Sequence, residues 1–102
     1  MPDKRQSVRH DVTLSVQVVI DGKSYDSQIA NLSLGGALIL FDEDLPMGQR
    51  LEVTFSIPTQ KDPIRVGAAV RWATGTAIGV QFDGLRAREV WSLNKFFESL
   101  AK

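Results

Sequence analysis

The sequence contains no cysteine and a single histidine, His10. The first absence excludes a disulfide scaffold, a thiolate metal centre and a cysteine nucleophile. The second excludes any site built from two imidazoles. A surplus of one charge is missing as well, since 12 Lys and Arg stand against 12 Asp and Glu. A general nucleic-acid binder needs such a surplus to displace counterions, so neither DNA nor RNA is an expected partner. Long apolar runs are also absent. The longest covers residues 37–41, far short of the ~20 residues of a membrane-spanning helix. The opening MPDKRQSVRHD has no apolar core of the secretory kind. What remains is 102 residues, 43% hydrophobic, the scale of one small globular domain. A cytoplasmic domain without direct membrane insertion is the expectation.

Most of the chain has a period of two. Val12, Leu14, Val16, Val18 and Ile20 alternate with mostly polar neighbours, the pattern of a strand with one buried face. Asp21-Gly22 follows, a dipeptide suited to the positive φ angles of a hairpin turn. A return strand is predicted over residues 24–30, then a break at Asn31-Leu-Ser-Leu-Gly-Gly and a buried strand over residues 37–41. The acidic segment 42–48, with Pro46 and Gly48, reads as a solvated loop. Leu51, Val53, Phe55 and Ile57 alternate until Pro58, and Ile64, Val66, Ala68, Val70 and Trp72 alternate again. A turn at Thr74-Gly75 leads to Ile78, Val80 and Phe82. After Gly84 the spacing changes to threes and fours. Val90, Leu93, Phe97 and Leu100, with Trp91 and Phe96 beside them, predict an apolar helix face capped at Asp83. Six short strands and one closing helix predict a mainly β fold, a small six-stranded antiparallel barrel whose open end or face the helix covers. The expected organisation is one domain: a flexible basic ligand-binding arm over 1–10, the barrel over 11–83 and the helix over 84–101.

Catalytic chemistry finds no residues to perform it. His10 lies in a polar arm beside Asp11 with no serine elbow of the GxSxG type, so it reads as a solvated arm residue. Asp42, Glu43 and Asp44 are consecutive, whereas a hard-cation loop spaces its ligands at alternate positions. No GxxxxGK[ST] phosphate loop is present. No nucleophile, base, cofactor or metal is expected, and the chain is not expected to be an enzyme.

Two short segments stand apart. Arg5-Gln-Ser-Val-Arg9, preceded by Lys4, lies just before the first strand. Asn31-Leu-Ser33-Leu-Gly35-Gly36 forms a polar turn between two strands. Each has a plain structural explanation: a basic arm solubilises, and Asn, Ser and Gly suit tight turns. Together they resemble the PilZ domain family, bacterial receptors for the second messenger cyclic-di-GMP. That family is marked by RxxxR before the barrel and [D/N]xSxxG downstream. Arg5 and Arg9 match the first motif, and Asn31, Ser33 and Gly36 match the second. The 22 residues from Arg9 to Asn31 suit one hairpin that returns the chain to its start. Val70-Arg71-Trp72, the GVQF beginning at Gly79 and the closing helix extend the resemblance over nearly the whole chain.

The resemblance implies a binding site for cyclic-di-GMP. Arginine's planar fork pairs with guanine O6 and N7, stacks on bases and binds phosphate through charge-assisted bonds. Arg5 and Arg9 would clasp guanine and phosphate groups from the arm. Asn31 and Ser33 would bond ligand atoms from the turn, Gly36 would leave room for them, and Gly35 adjoins it. Asn31 stands where the family also allows Asp, and an amide is a weaker acceptor for guanine N–H groups than a carboxylate. Lys4 occupies the place that influences whether one ligand or a stacked pair binds, and its flexibility suggests room for a pair. Trp72 is either the last core residue of its strand or a stacking face for a guanine. The implied function is a non-catalytic effector. Its arm orders on ligand binding and changes a surface for a downstream protein. The alternatives are a PilZ-like adaptor that has lost the ligand, against which the intact motifs argue, and an oligonucleotide-binding barrel. The latter wants exposed aromatics on a basic strand face, whereas the aromatics here fall mostly in core phase. The zero net charge averages unlike regions: residues 1–10 carry an excess of two positive side chains and residues 42–44 carry three negative ones. It excludes a long polyanion, not a small dianion held by two arginines.

Overall fold

The computed structural model describes residues 8–100. The strands are β1 (His10–Ile20), β2 (Lys23–Leu32), β3 (Gly36–Leu40), β4 (Arg50–Phe55), β5 (Ile64–Ala73) and β6 (Ala77–Phe82), and one helix follows, α1 (Ala87–Leu100). All pairings are antiparallel. They close in the order β1-β2-β3-β6-β5-β4, with β4 returning to β1. Closure leaves no unpaired strand edge in the barrel. The barrel and single helix are the expected architecture. The hairpin at Asp21-Gly22 follows from its chemistry, with φ of 50° and 83° at the two residues. No described helix is long and apolar enough to cross a membrane.

The alternating residues form the core. Val16, Val18, Ile29, Ile39, Val53, Ile64, Val70 and Ile78 are among the buried side chains, joined by Leu93, Phe96 and Phe97 from α1. The helix thus contributes to the barrel's own core. Thr59 Oγ1, in the connection between β4 and β5, donates to the Ser92 carbonyl at 2.7 Å and ties the helix down.

Three expectations about single residues need correction. Asp83 does not cap the helix, because Arg50 engages its carboxylate in two hydrogen bonds. The cap is made at Arg86 instead: its amide donates to Glu89 Oε1 at 3.0 Å, while its carbonyl accepts from the Glu89 amide at 3.0 Å. This is the carboxylate half of a capping box, and it accounts for the buried Glu89. Trp91 is 60% exposed rather than part of the covered face, with the Lys95 ammonium over its ring. His10 is no solvated arm residue. It opens β1 opposite Leu32 and stacks on Phe97, ring centroids 4.0 Å apart.

Three β-bulges interrupt the period of two. Register slips between Asp11 and Leu14 of β1, between Ile29 and Asn31 of β2, and between Val70 and Trp72 of β5. Each extra residue shifts the alternation by one, so the following side chains change face. In β2, Ile29 and Leu32 are therefore both buried although three positions apart. In β5, Arg71 is the extra residue.

Candidate functional site

The β5 bulge decides the fate of Trp72. Ile64, Val66, Ala68 and Val70 point into the barrel, and simple alternation would send Trp72 after them. With Arg71 inserted, Trp72 pairs with Gly79 while Val70 pairs with Val80. The indole lands on the outer face, 40% exposed. The reading of Trp72 as core fails for this reason, and the tryptophan stands on the surface.

The same row of the sheet continues away from Trp72. Gly79 pairs with Leu38, Leu38 with Asn31, and Asn31 with Asp11. Asn31 and Trp72 thus share one row across four strands. The β1–β2 hairpin sets His10 against Leu32, so Arg9 lies next to the Ser33 turn. That return of the chain is what the 22-residue spacing requires.

These elements enclose a cleft of about 420 Å³, lined by Arg9, Ser33, Gly35 and Gly36 on one side and by Arg71, Trp72, Gly79 and Gln81 on the other. The volume falls in the range of small-molecule sites, roughly 300–1,000 Å³. Two guanidinium groups line it, and no acidic side chain among the described residues does. Such a cleft favours an anion with planar groups, because guanidinium pairs with phosphate and stacks on rings.

The turn that forms one wall is built from its own side chains. The Ser33 hydroxyl accepts from the amides of Gly35 and Gly36 at 3.2 and 3.1 Å, and the Ser33 amide donates to the Gly36 carbonyl at 2.9 Å. Ser33 is buried, so in this structure its hydroxyl shapes the turn. The Gly35 carbonyl accepts from the Phe82 amide at 2.8 Å, which fastens the turn to β6. A Cβ on Gly36 would collide with the Val80 carbonyl oxygen. Close approach of two backbones is therefore one reason for glycine there, separate from any space left for a ligand.

Of the residues the sequence singled out, the structure brings Arg9, Ser33, Gly35, Gly36 and Trp72 to the cleft. Asn31 is half-buried on the adjoining row and is not among the lining residues. Arg5 and Lys4, with most of the expected arm, lie outside the described residues. Sequence reasoning missed Arg71 and Gln81 as lining residues. Both stand inside the VRW and GVQF segments, which served only as marks of resemblance.

A family model described as the PilZ domain matches residues 3–99. The chain belongs to the PilZ domain family. PilZ domains are non-catalytic modules that bind cyclic-di-GMP and act on effectors, so this chain is not an enzyme. No curated protein matches significantly. Among solved structures, the Bacillus subtilis inhibitor of motility (MotI/DgrA) superposes with a TM-score of 0.82 at 19% identity, covering 99% of this chain. This PilZ domain spans only 54% of that protein's length. The PilZ domain of YcgR from Escherichia coli, solved with c-di-GMP, superposes at 0.69 with 15% identity over 94% of this chain and 91% of that one. The Borreliella burgdorferi PlzA protein in complex with c-di-GMP gives 0.66 at 17% identity, covering 93% of this chain and 41% of that one. At these identities the likenesses establish the shared fold.

Proposed function

We propose that this PilZ domain binds cyclic-di-GMP in the cleft between Arg9, the 31–36 turn and the outer faces of β3, β6 and β5. It then acts as a non-catalytic effector in the bacterial cytoplasm. The observation that carries the reading is the meeting of Arg9, Arg71 and an outward-facing Trp72 in one cleft that no acidic side chain among the described residues lines. The ligand offers two phosphates and two guanines, and the cleft offers two guanidinium groups and one aromatic face. Arg5 and Arg9 clasp the ligand from the arm. Asn31 lies one short reach along the sheet, where a ligand seated over Leu38 meets it. The c-di-GMP complexes of YcgR and PlzA, which share this fold, support the ligand.

The output in this proposal is a change of surface. Residues 1–8 are polar apart from Met1, Pro2 and Val8, without apolar periodicity, and folding them across the barrel on binding creates a new face for a downstream protein. The likeness to an inhibitor of motility supports an adaptor role of this kind. Titration calorimetry with cyclic-di-GMP, reporting stoichiometry as well as affinity, tests the reading. Wild-type protein should bind, and Arg5→Ala/Arg9→Ala should lose most binding while melting at the same temperature. Equal binding by the double variant overturns the assignment, and no binding by wild type leaves the ligand-free adaptor. Amide exchange in the arm, slowed by ligand, tests its ordering.

A further inference from the structure

Gly79 is buried although it faces outward, because the Trp72 indole covers it. A Cβ built on Gly79 would overlap Trp72 Cε2 and Nε1 and approach Cζ2 to 2.7 Å. The backbone does not ask for glycine there: Gly22, Gly48 and Gly75 have positive φ, whereas Gly79 lies in an ordinary strand pairing with Leu38 on one side and Trp72 on the other. Glycine in a strand interior has no side chain to pack, and it often marks a place where another group approaches closely. Here that group is an indole.

We propose that Gly79 is a positioning residue of the ligand cleft. Its missing side chain is the seat that holds the Trp72 indole flat against the sheet, and the Arg71 bulge delivers the indole to that seat. Seat and bulge act together. The bulge turns Trp72 outward, and the flat seat leaves the ring's other face directed to the cleft. A ring propped up by a Cβ would intrude on the space between Arg9 and Arg71 and lose the parallel surface a guanine needs for stacking. The proposal rests on the cyclic-di-GMP reading for its ligand but not for its geometry.

The test uses the whole chain in a Trp91→Phe background, so that Trp72 is the only fluorophore of its kind. Without ligand, Gly79→Ala should shift Trp72 emission to the red and increase its quenching by acrylamide. With cyclic-di-GMP, Gly79→Ala and Trp72→Ala should each weaken binding about tenfold, since base–aromatic stacking has that order of effect. Gly79→Ala/Trp72→Ala should bind no more weakly than Trp72→Ala alone, because the seat has nothing left to hold. Should Gly79→Ala lower the melting temperature, adding Trp72→Ala should restore it. Unchanged emission in Gly79→Ala, or equal losses from Gly79→Ala with and without Trp72, overturns the proposal. If wild-type protein binds no cyclic-di-GMP, the functional reading fails by itself, and emission and melting still decide the seat.

Discussion

Two glycines of β5 and β6 invite comparison, because each faces outward and each lies beneath a group from a neighbouring strand. Over Gly67 the group is an ion pair. Arg50 grips Asp83 with two hydrogen bonds, one of 2.8 Å from Nη1, and a Cβ on Gly67 would come within 3.3 Å of Arg50 Nη2. Beside it Arg65 meets Glu52 at 3.3 Å. Over Gly79 the group is an indole, 40% exposed, flanked by Arg71 and Arg9 in a cleft that no acidic side chain among the described residues lines. The same device, an absent side chain under a cross-strand partner, thus closes one face of the barrel and opens another. On the first face each cation has its anion. On the second, no acidic side chain among the described residues lines the cleft beside the cations. Zero net charge is a total over the whole chain and describes neither face.

The largest expected effect sharpens what holds the open face in place. Gly36→Ala sets a Cβ against the Val80 carbonyl, a backbone atom that cannot swing aside. The variant should lose about 1–3 kcal/mol, read as a lower denaturant midpoint with unchanged slope. Gly67→Ala meets only the ends of the Arg50 and Asp83 side chains, both well exposed, so it should move the midpoint much less. Equal losses from the two would mean that the cleft wall has no special dependence on backbone contact.

Next comes the contrast between Arg50 and Arg65, each paired with a carboxylate, and Arg71, which has no carboxylate partner among the described residues. Arg71→Ala should weaken cyclic-di-GMP binding roughly tenfold to a hundredfold, the scale of hydrogen bonds to a charged group, with no change in melting temperature. Arg65→Ala and Arg50→Ala should leave affinity unchanged, because their partners are Glu52 and Asp83 on the closed face. If Arg65→Ala weakens binding as much as Arg71→Ala, the division into two faces is wrong.

Much of this comparison was legible in the sequence, and the remainder was hidden by the bulges. Alternation from Val12 to Ile20 and from Ile64 to Val70 announced the barrel, because a closed sheet with one buried face leaves that trace whatever its register. The motif residues were legible as residues. Which of them shape the fold was not: Ser33 and Gly36 build the turn through contacts 2–3 residues away and across to Val80, and these depend on β3 lying beside β6. Trp72 stayed open between core and stacking face because one inserted residue reverses alternation, and no local signal at Arg71 marks it as inserted. Trp91 misled in the other direction. Its place beside the apolar stripe suggested burial, yet the helix turns it to solvent. Asp83 seemed a cap because its distance in sequence suited one, while its actual partner, Arg50, lies 33 residues away.

The two tryptophans give a smaller, cleaner contrast. Cyclic-di-GMP should quench or shift the emission of Trp72 in a Trp91→Phe protein and leave Trp91 unaffected in a Trp72→Phe protein. Trp91→Ala should change stability by no more than about 0.5 kcal/mol, as for exposed substitutions elsewhere. A ligand response from Trp91 would move the binding site from the β5–β6 face to the helix.

The smallest effect belongs to the ion pair itself and is separated by pH. The Arg50 hydrogen bond, with the attraction of its charge, holds the Asp83 carboxyl below its ordinary value of 3.8. A carboxyl whose folded value is depressed adds stability above its unfolded value and loses it as pH falls through the folded one. Wild type should therefore melt slightly above Asp83→Asn at neutral pH, and the two curves should converge as pH falls below about 3.8. Both groups are well exposed, so the gap should also narrow in high salt. Equal melting of the two proteins at neutral pH would instead leave this face to the Asp83 backbone amide, which the Asn variant keeps and which donates to the Gly67 carbonyl at 2.9 Å. The closed face would then be held by its backbone, as the open face is at Gly36, and the charges over Gly67 would only cover it.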